Sequence, residues 1–138
     1  MTQAAAVIAT AWLLAAGAPD AAACEPALGA AGAQRVEGAH YVLAWRAAEP
    51  IRQGEFFALD VAVCAKGGGA APSTVRVDAR MPAHRHGMNY RPTVAAAGDG
   101  RFAARGLMFH MPGDWELSFD VNPGGVPRET LRSPVMLP

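Results

Sequence analysis

The stretch EFFALDVAVCA, residues 55–65, decides the fold. Phe57, Leu59, Val61 and Val63 recur at every second position, the period of a strand that turns alternate side chains toward one core. Cys64 falls on the opposite face. Lys66-Gly67-Gly68-Gly69 ends the run, since consecutive glycines favour a turn over a ladder. The pattern repeats on either side. His40–Arg46 sets Tyr41, Leu43 and Trp45 on one face, and Ser73–Met81 alternates Val75 and Val77 with Arg76 and Asp78. Further strands are expected at Arg91–Ala96, Arg101–His110, Trp115–Val121 and Thr130–Met136. Gly98-Asp99-Gly100, Met111-Pro112-Gly113-Asp114 and Asn122-Pro123-Gly124-Gly125 supply turns between them. This spacing predicts an all-β chain: an antiparallel β-sandwich of about seven strands with an immunoglobulin-like topology.

The opening residues, MTQAAAVIATAWLLAAGA, carry no charge and lead to Ala21-Ala22-Ala23, small residues of the kind a signal peptidase cuts after. The reading is a signal peptide over 1–23 and one domain over 24–138, exported to the periplasm or beyond. If the segment stays uncleaved, it is a membrane anchor instead. Two cysteines remain, Cys24 and Cys64. In an oxidising compartment an even count points to a disulfide between them, while a lipid on Cys24 is the alternative and would also bring the protein to a membrane.

Twelve basic residues balance twelve acidic ones, which gives no electrostatic reason to expect nucleic acid as a partner. No serine lies in a G-x-S-x-G elbow, and no glycine loop precedes a helix to cradle phosphate. The chain reads as a binding protein and not as an enzyme.

The chemistry is concentrated in one window. Three of the four histidines (His84, His86, His110) and four of the six methionines (Met81, Met88, Met108, Met111) fall within residues 81–111. Imidazole together with thioether suits a copper ion, because thioether is a soft ligand that harder cations do not favour. Zinc sites usually add cysteine or carboxylate, and neither is close in the sequence. If the third strand runs on through residue 88, then His84, His86 and Met88 share a face, but Pro82 and Gly87 argue for a looped path. Met108 and His110 are also spaced by two. The expected copper ligands are therefore His84, His86, Met88, Met108 and His110. The competing reading makes Met81 and Met111, each followed by proline, plugs of the core. The histidines would then be an exposed rim that docks a partner in the cell envelope.

The motifs MPAHRHGMNYRPTV and GDGRFAARGLMFHMPGDWELSFDV resemble the YtkA-like family of small exported bacterial domains, over roughly residues 50–121. The matching positions are Met81, His84, His86 and Met88 in the first motif and Met111 to Glu116 in the second. The resemblance implies an immunoglobulin-like sandwich, a suspected copper ion, and another envelope metal-transport or redox protein as partner. Arg85 departs from the family pattern, in which a small residue is frequent between the histidines. Its charge opposes a nearby cation.

Overall fold

The computed structural model describes residues 24–29 and 31–138. The expected signal segment, 1–23, lies outside the described residues. Within them run β1 (Gln34–Glu37), β2 (Tyr41–Ala47), β3 (Phe56–Ala65), β4 (Val75–Met81), β5 (His86–Gly87), β6 (Thr93–Gly98), β7 (Arg101–Met108), β8 (Gly113–Val121) and β9 (Glu129–Leu137). One sheet is ordered β1-β2-β3-β7-β6 and the other β5-β4-β8-β9. All pairings are antiparallel. Without β1, the orders β2-β3-β7-β6 and β5-β4-β8-β9 are the ABED and C′CFG sheets of an immunoglobulin-like sandwich. The seven expected strands are present. The two additions are short: β1 is a polar edge strand, and β5 has only two residues.

The core follows from alternation. Phe57, Leu59, Val61 and Val63 from β3 meet Val75, Val77 and Ala79 from β4 and Leu117, Phe119 and Val121 from β8, all buried between the sheets. In β4 the outward residues Arg76, Asp78 and Arg80 are exposed, so every second side chain is buried along its length. β2 departs from this rule. Val42 and Ala44 are buried as well as Tyr41 and Leu43, and over Ala44 the cover is the segment before β1, which packs Leu28 on Ala44 and Ala62. The bond between Cys24 and Cys64, with Cα atoms 5.8 Å apart, fastens that segment to β3.

Two local devices hold the strands in phase. The hairpin between β6 and β7 turns on Asp99, at φ 51°, between Gly98 and Gly100, which also have positive φ. Gly100 lies against the β3 backbone, where its carbonyl accepts the Val63 N–H at 2.8 Å. A Cβ there would collide with the Val63 carbonyl. Further along β7, Ala58 pairs with Arg105 but Phe57 pairs with Leu107, so Gly106 is an extra residue in the ladder. Its φ of 82° suits glycine at a bulge.

At the end of the sandwich where β2 begins, Glu129 bridges the sheets. Its carboxylate accepts the backbone N–H groups of Ala39, His40 and Tyr41 at 2.6, 3.0 and 3.1 Å. Burial pushes its pKa up, but these three N–H donors outweigh that and hold it below the usual carboxylate value. The Tyr41 hydroxyl donates to Pro127 O at 2.9 Å, and so does the Asn122 amide at 3.1 Å. β9, an edge strand, carries Pro134, a residue that edge positions tolerate because one side of the strand needs no ladder donor.

Two outcomes follow. Replacing both Cys24 and Cys64 with serine lowers unfolding stability in guanidinium by about 2–4 kcal/mol, since the bridge closes a loop of 40 residues. For Glu129 the folded pKa lies below the unfolded one. Its contribution is complete above the ordinary glutamate range and is lost as pH falls through the folded value. Glu129→Gln therefore costs about 1–2 kcal/mol in urea melts at pH 7, and its gap from the natural chain closes in acid.

Candidate metal centre

The first half of the site begins where β4 stops. Met81 is buried in the core, and Pro82, with no N–H to continue a ladder, starts a tight reversal. The N–H groups of His84 and Arg85 both reach back to Met81 O, at 3.2 and 2.9 Å, and Arg85 takes a φ of 57°. The chain then returns as β5, with His86 opposite Met81 and Gly87 opposite Arg80. The straight continuation through residue 88 is thus replaced by the looped path, and a shared strand face is not what brings the histidines together. The turn does so instead: the His84 and His86 rings lie 5.7 Å apart. His84 is exposed, His86 is half-buried, and Met88 packs against the core just beyond β5.

The second half depends on the bulge. Phe102 and Ala104 face the core, and with an unbroken period of two Gly106 and Met108 would follow them inward. The extra residue resets the phase, so Leu107 and Phe109 are buried while Met108 and His110 turn the other way. Met108 stands on the outer side of β7 with Phe56 as its partner in β3. Tyr90 meets Phe56 edge-on at 5.0 Å. His110, past the strand end, approaches the His86 ring to 5.1 Å.

An aromatic base supports the two imidazoles. Trp115, 1 % exposed, donates its indole N–H to Met111 O at 3.0 Å and so closes the MPGDW turn. Phe109 stacks on it at 4.4 Å with the planes 7° apart, and Phe57 meets Phe109 edge-on at 4.9 Å. His110 and His86 meet the indole at steep angles, 5.4 and 5.9 Å from it. The backbone of this segment is also tied: Gly54 N–H donates to Phe109 O at 2.9 Å, and the Gln53 amide donates to His110 O at 3.4 Å.

The ring nitrogens are the chemically telling atoms. His86 Nδ1 lies 3.1 Å from Gly87 O. A proton donated there leaves Nε2 with its lone pair free, the second-sphere arrangement common to ligating histidines. His110 Nδ1 is buried and has no hydrogen-bond partner, a costly state for a polar atom that a ligand would relieve. His86 also touches two methionine sulfurs. Two imidazoles bound to one metal through bonds of ~2.0–2.1 Å have ring centres on the order of 5–6 Å apart, which the His86–His110 pair matches. The nearby carboxylate of Glu116 is shared by Arg80 at 2.9 Å and Arg132 at 3.4 Å. Among the described residues no three His, Cys, Asp or Glu side chains form a metal-holding group.

Of the expected ligands, then, His84, His86 and His110 form a row with His86 at its centre, whereas Met88 packs against the core and lines the groove beside β4, and Met108 lies on the outer side of β7 beside Phe56. Met81 fills the core, as the competing reading expected of it. The sequence reading missed the Gly87 carbonyl, for which no sequence signal exists, and the bulge at Gly106, which an isolated glycine within a strand pattern signals. The chain matches no family model, no curated protein and no solved structure among known proteins.

Gly113 starts β8 at a φ of 120°, and a Cβ there would lie 2.9 Å from Met81 Cε. Gly113→Ala adds backbone strain to that collision and costs about 1–3 kcal/mol. In a thermal melt the transition falls by roughly 5–15 °C.

Proposed function

We propose that this chain is an exported β-sandwich protein of the YtkA-like kind that holds a copper ion and hands it on. His86 and His110 are the central ligands, His84 is the exposed imidazole beside them, and Met88 and Met108 supply thioether sulfur. The observation that carries the reading is the His86–His110 pair, 5.1 Å apart, with the unpartnered His110 Nδ1 in one ring and the Gly87-oriented Nδ1 in the other. Thioether contact at His86 favours copper over zinc, magnesium or calcium. The bond between Cys24 and Cys64 supports an oxidising, exported location such as the periplasm. Transport is favoured over catalysis because one edge of the row is exposed at His84, where a donor or acceptor protein can reach it.

The test is titration with Cu(I), held reduced by ascorbate against a chromophoric competitor, with Trp115 fluorescence as a second readout. The natural chain is expected to bind one ion and to quench the tryptophan. His86→Ala and His110→Ala each weaken binding by at least about tenfold, and Met88→Leu weakens Cu(I) more than Cu(II). A natural chain that binds no tighter than the His84→Ala/His86→Ala double variant ends the copper reading.

A further inference from the structure

β4 has an unpaired edge. β5 covers it only at Arg80 and Met81, and the Met88 N–H reaches Ala79 O at 3.3 Å. Before that point, residues 75–78 pair with β8 on one side and with no hydrogen-bonded strand on the other among the described residues, where β6 of the other sheet packs near them. In an antiparallel ladder the N–H and C=O of one residue point the same way, and successive residues alternate. Thr74 O accepts the Asn122 N–H on the β8 side, whereas Ala79 O accepts Met88 on the opposite side. Val75 and Val77 therefore aim both backbone groups at the open edge. They face a groove of about 570 Å³ walled by Met88, Tyr90, Arg91, Pro92 and Val94.

A row of unmet backbone groups beside a groove is a template for an added strand, and the side chains define which one. Arg76 and Asp78 are exposed on the outer face, and neither joins an ion pair among the described residues. Asp78 Oδ1 accepts only the N–H of Ala79, at 2.8 Å. The other charges on the groove are Arg91 and Asp120; Asp120 faces Arg76 across the β4–β8 ladder and accepts the Thr130 hydroxyl, so Asp78 is the charge without an opposite one facing it. A strand laid antiparallel on this edge meets Asp78, then Val77, then Arg76 in its own N-to-C direction. Opposite charges directly across a ladder attract and like charges repel. The matching triplet is basic–apolar–acidic, its apolar side chain entering the groove beside Met88 and Val94.

We propose that residues 75–78 are a docking edge for an extended segment of a partner protein carrying a basic–apolar–acidic triplet, added antiparallel to β4. Arg76-Val77-Asp78 is itself such a triplet, so a second copy is a competing occupant. Symmetric pairing about Val77 would, however, put Val75 of the copy opposite Ala79, the place Met88 already holds. A foreign segment can begin or bend away at its basic residue and leave Ala79 to Met88, whereas the copy's Val75 is fixed in its own β4–β8 ladder. Met88 lines this groove and follows His86 by two residues, so a docked segment comes against one proposed copper ligand. The docking itself does not depend on metal.

The test uses the intact, isotope-labelled chain without metal and two capped peptides, one with the core Lys-Val-Glu and one with Glu-Val-Lys. The first is expected to shift the Val75 and Val77 amide resonances, to slow their hydrogen exchange, and to bind roughly three- to tenfold tighter than the second. The charge swap Arg76→Asp/Asp78→Arg inverts that preference. The proposal is overturned if neither peptide disturbs Val75 and Val77 or if both bind equally. It is also overturned if those amides become protected with rising protein concentration alone, which would assign the edge to a second copy.

Discussion

One extra residue in β7 governs the end of the molecule where three histidines gather. Because Gly106 takes a positive φ outside the ladder, the two strand faces exchange roles after it. Phe109 is turned into the core, where it stacks on Trp115, and His110 is turned out to meet His86. The bulge thus couples a packing requirement to a chemical one: the same reset that seats an aromatic ring also presents an imidazole. Trp115 then serves both halves, as a filler of the core and as the surface against which both histidines lean.

The two ends of the sandwich are built on opposite terms. Around Glu129 the polar groups are mutually satisfied: a carboxylate meets three N–H groups, and Pro127 O meets a hydroxyl and an amide. Around His110 a buried ring nitrogen is unpaired, two methionine sulfurs touch His86, and the Glu116 carboxylate is taken up by Arg80 and Arg132. Satisfied networks rigidify and stabilise, while a buried polar group without a partner, such as His110 Nδ1 or the Trp45 indole N–H, carries an unrelieved desolvation cost.

Much of the architecture was legible because half-buried strands advertise themselves by alternation. β3, β4 and β8 read directly, and the glycines around Asp99 announced their hairpin. β1 was hidden because an edge strand with one half-buried residue, Val36, has no apolar period to show. The double burial of β2 was hidden because its outer cover, Leu28, comes from a segment without secondary structure. At the site, residue types and clustering were visible, but convergence was not. Spacing by two between His84 and His86 carries meaning only in a straight strand, and the Met81–Arg85 reversal removes that premise. That His86 faces His110 is a product of two turns and one bulge, each local, whose combined effect no window of sequence displays.

The paths of the chain ends differ in a way that matters at the bench. Cys24 is bonded to Cys64, eight residues along β3 from Phe56, so it sits roughly 27 Å from the histidine end. Leu137, by contrast, is paired with Gly113, inside the MPGDW turn itself. Anything joined after Leu137 emerges next to the imidazoles. A polyhistidine handle placed there would set ligands of its own beside the three imidazoles and be mistaken for them in a metal titration, whereas Cys24 is anchored at the far end of β3.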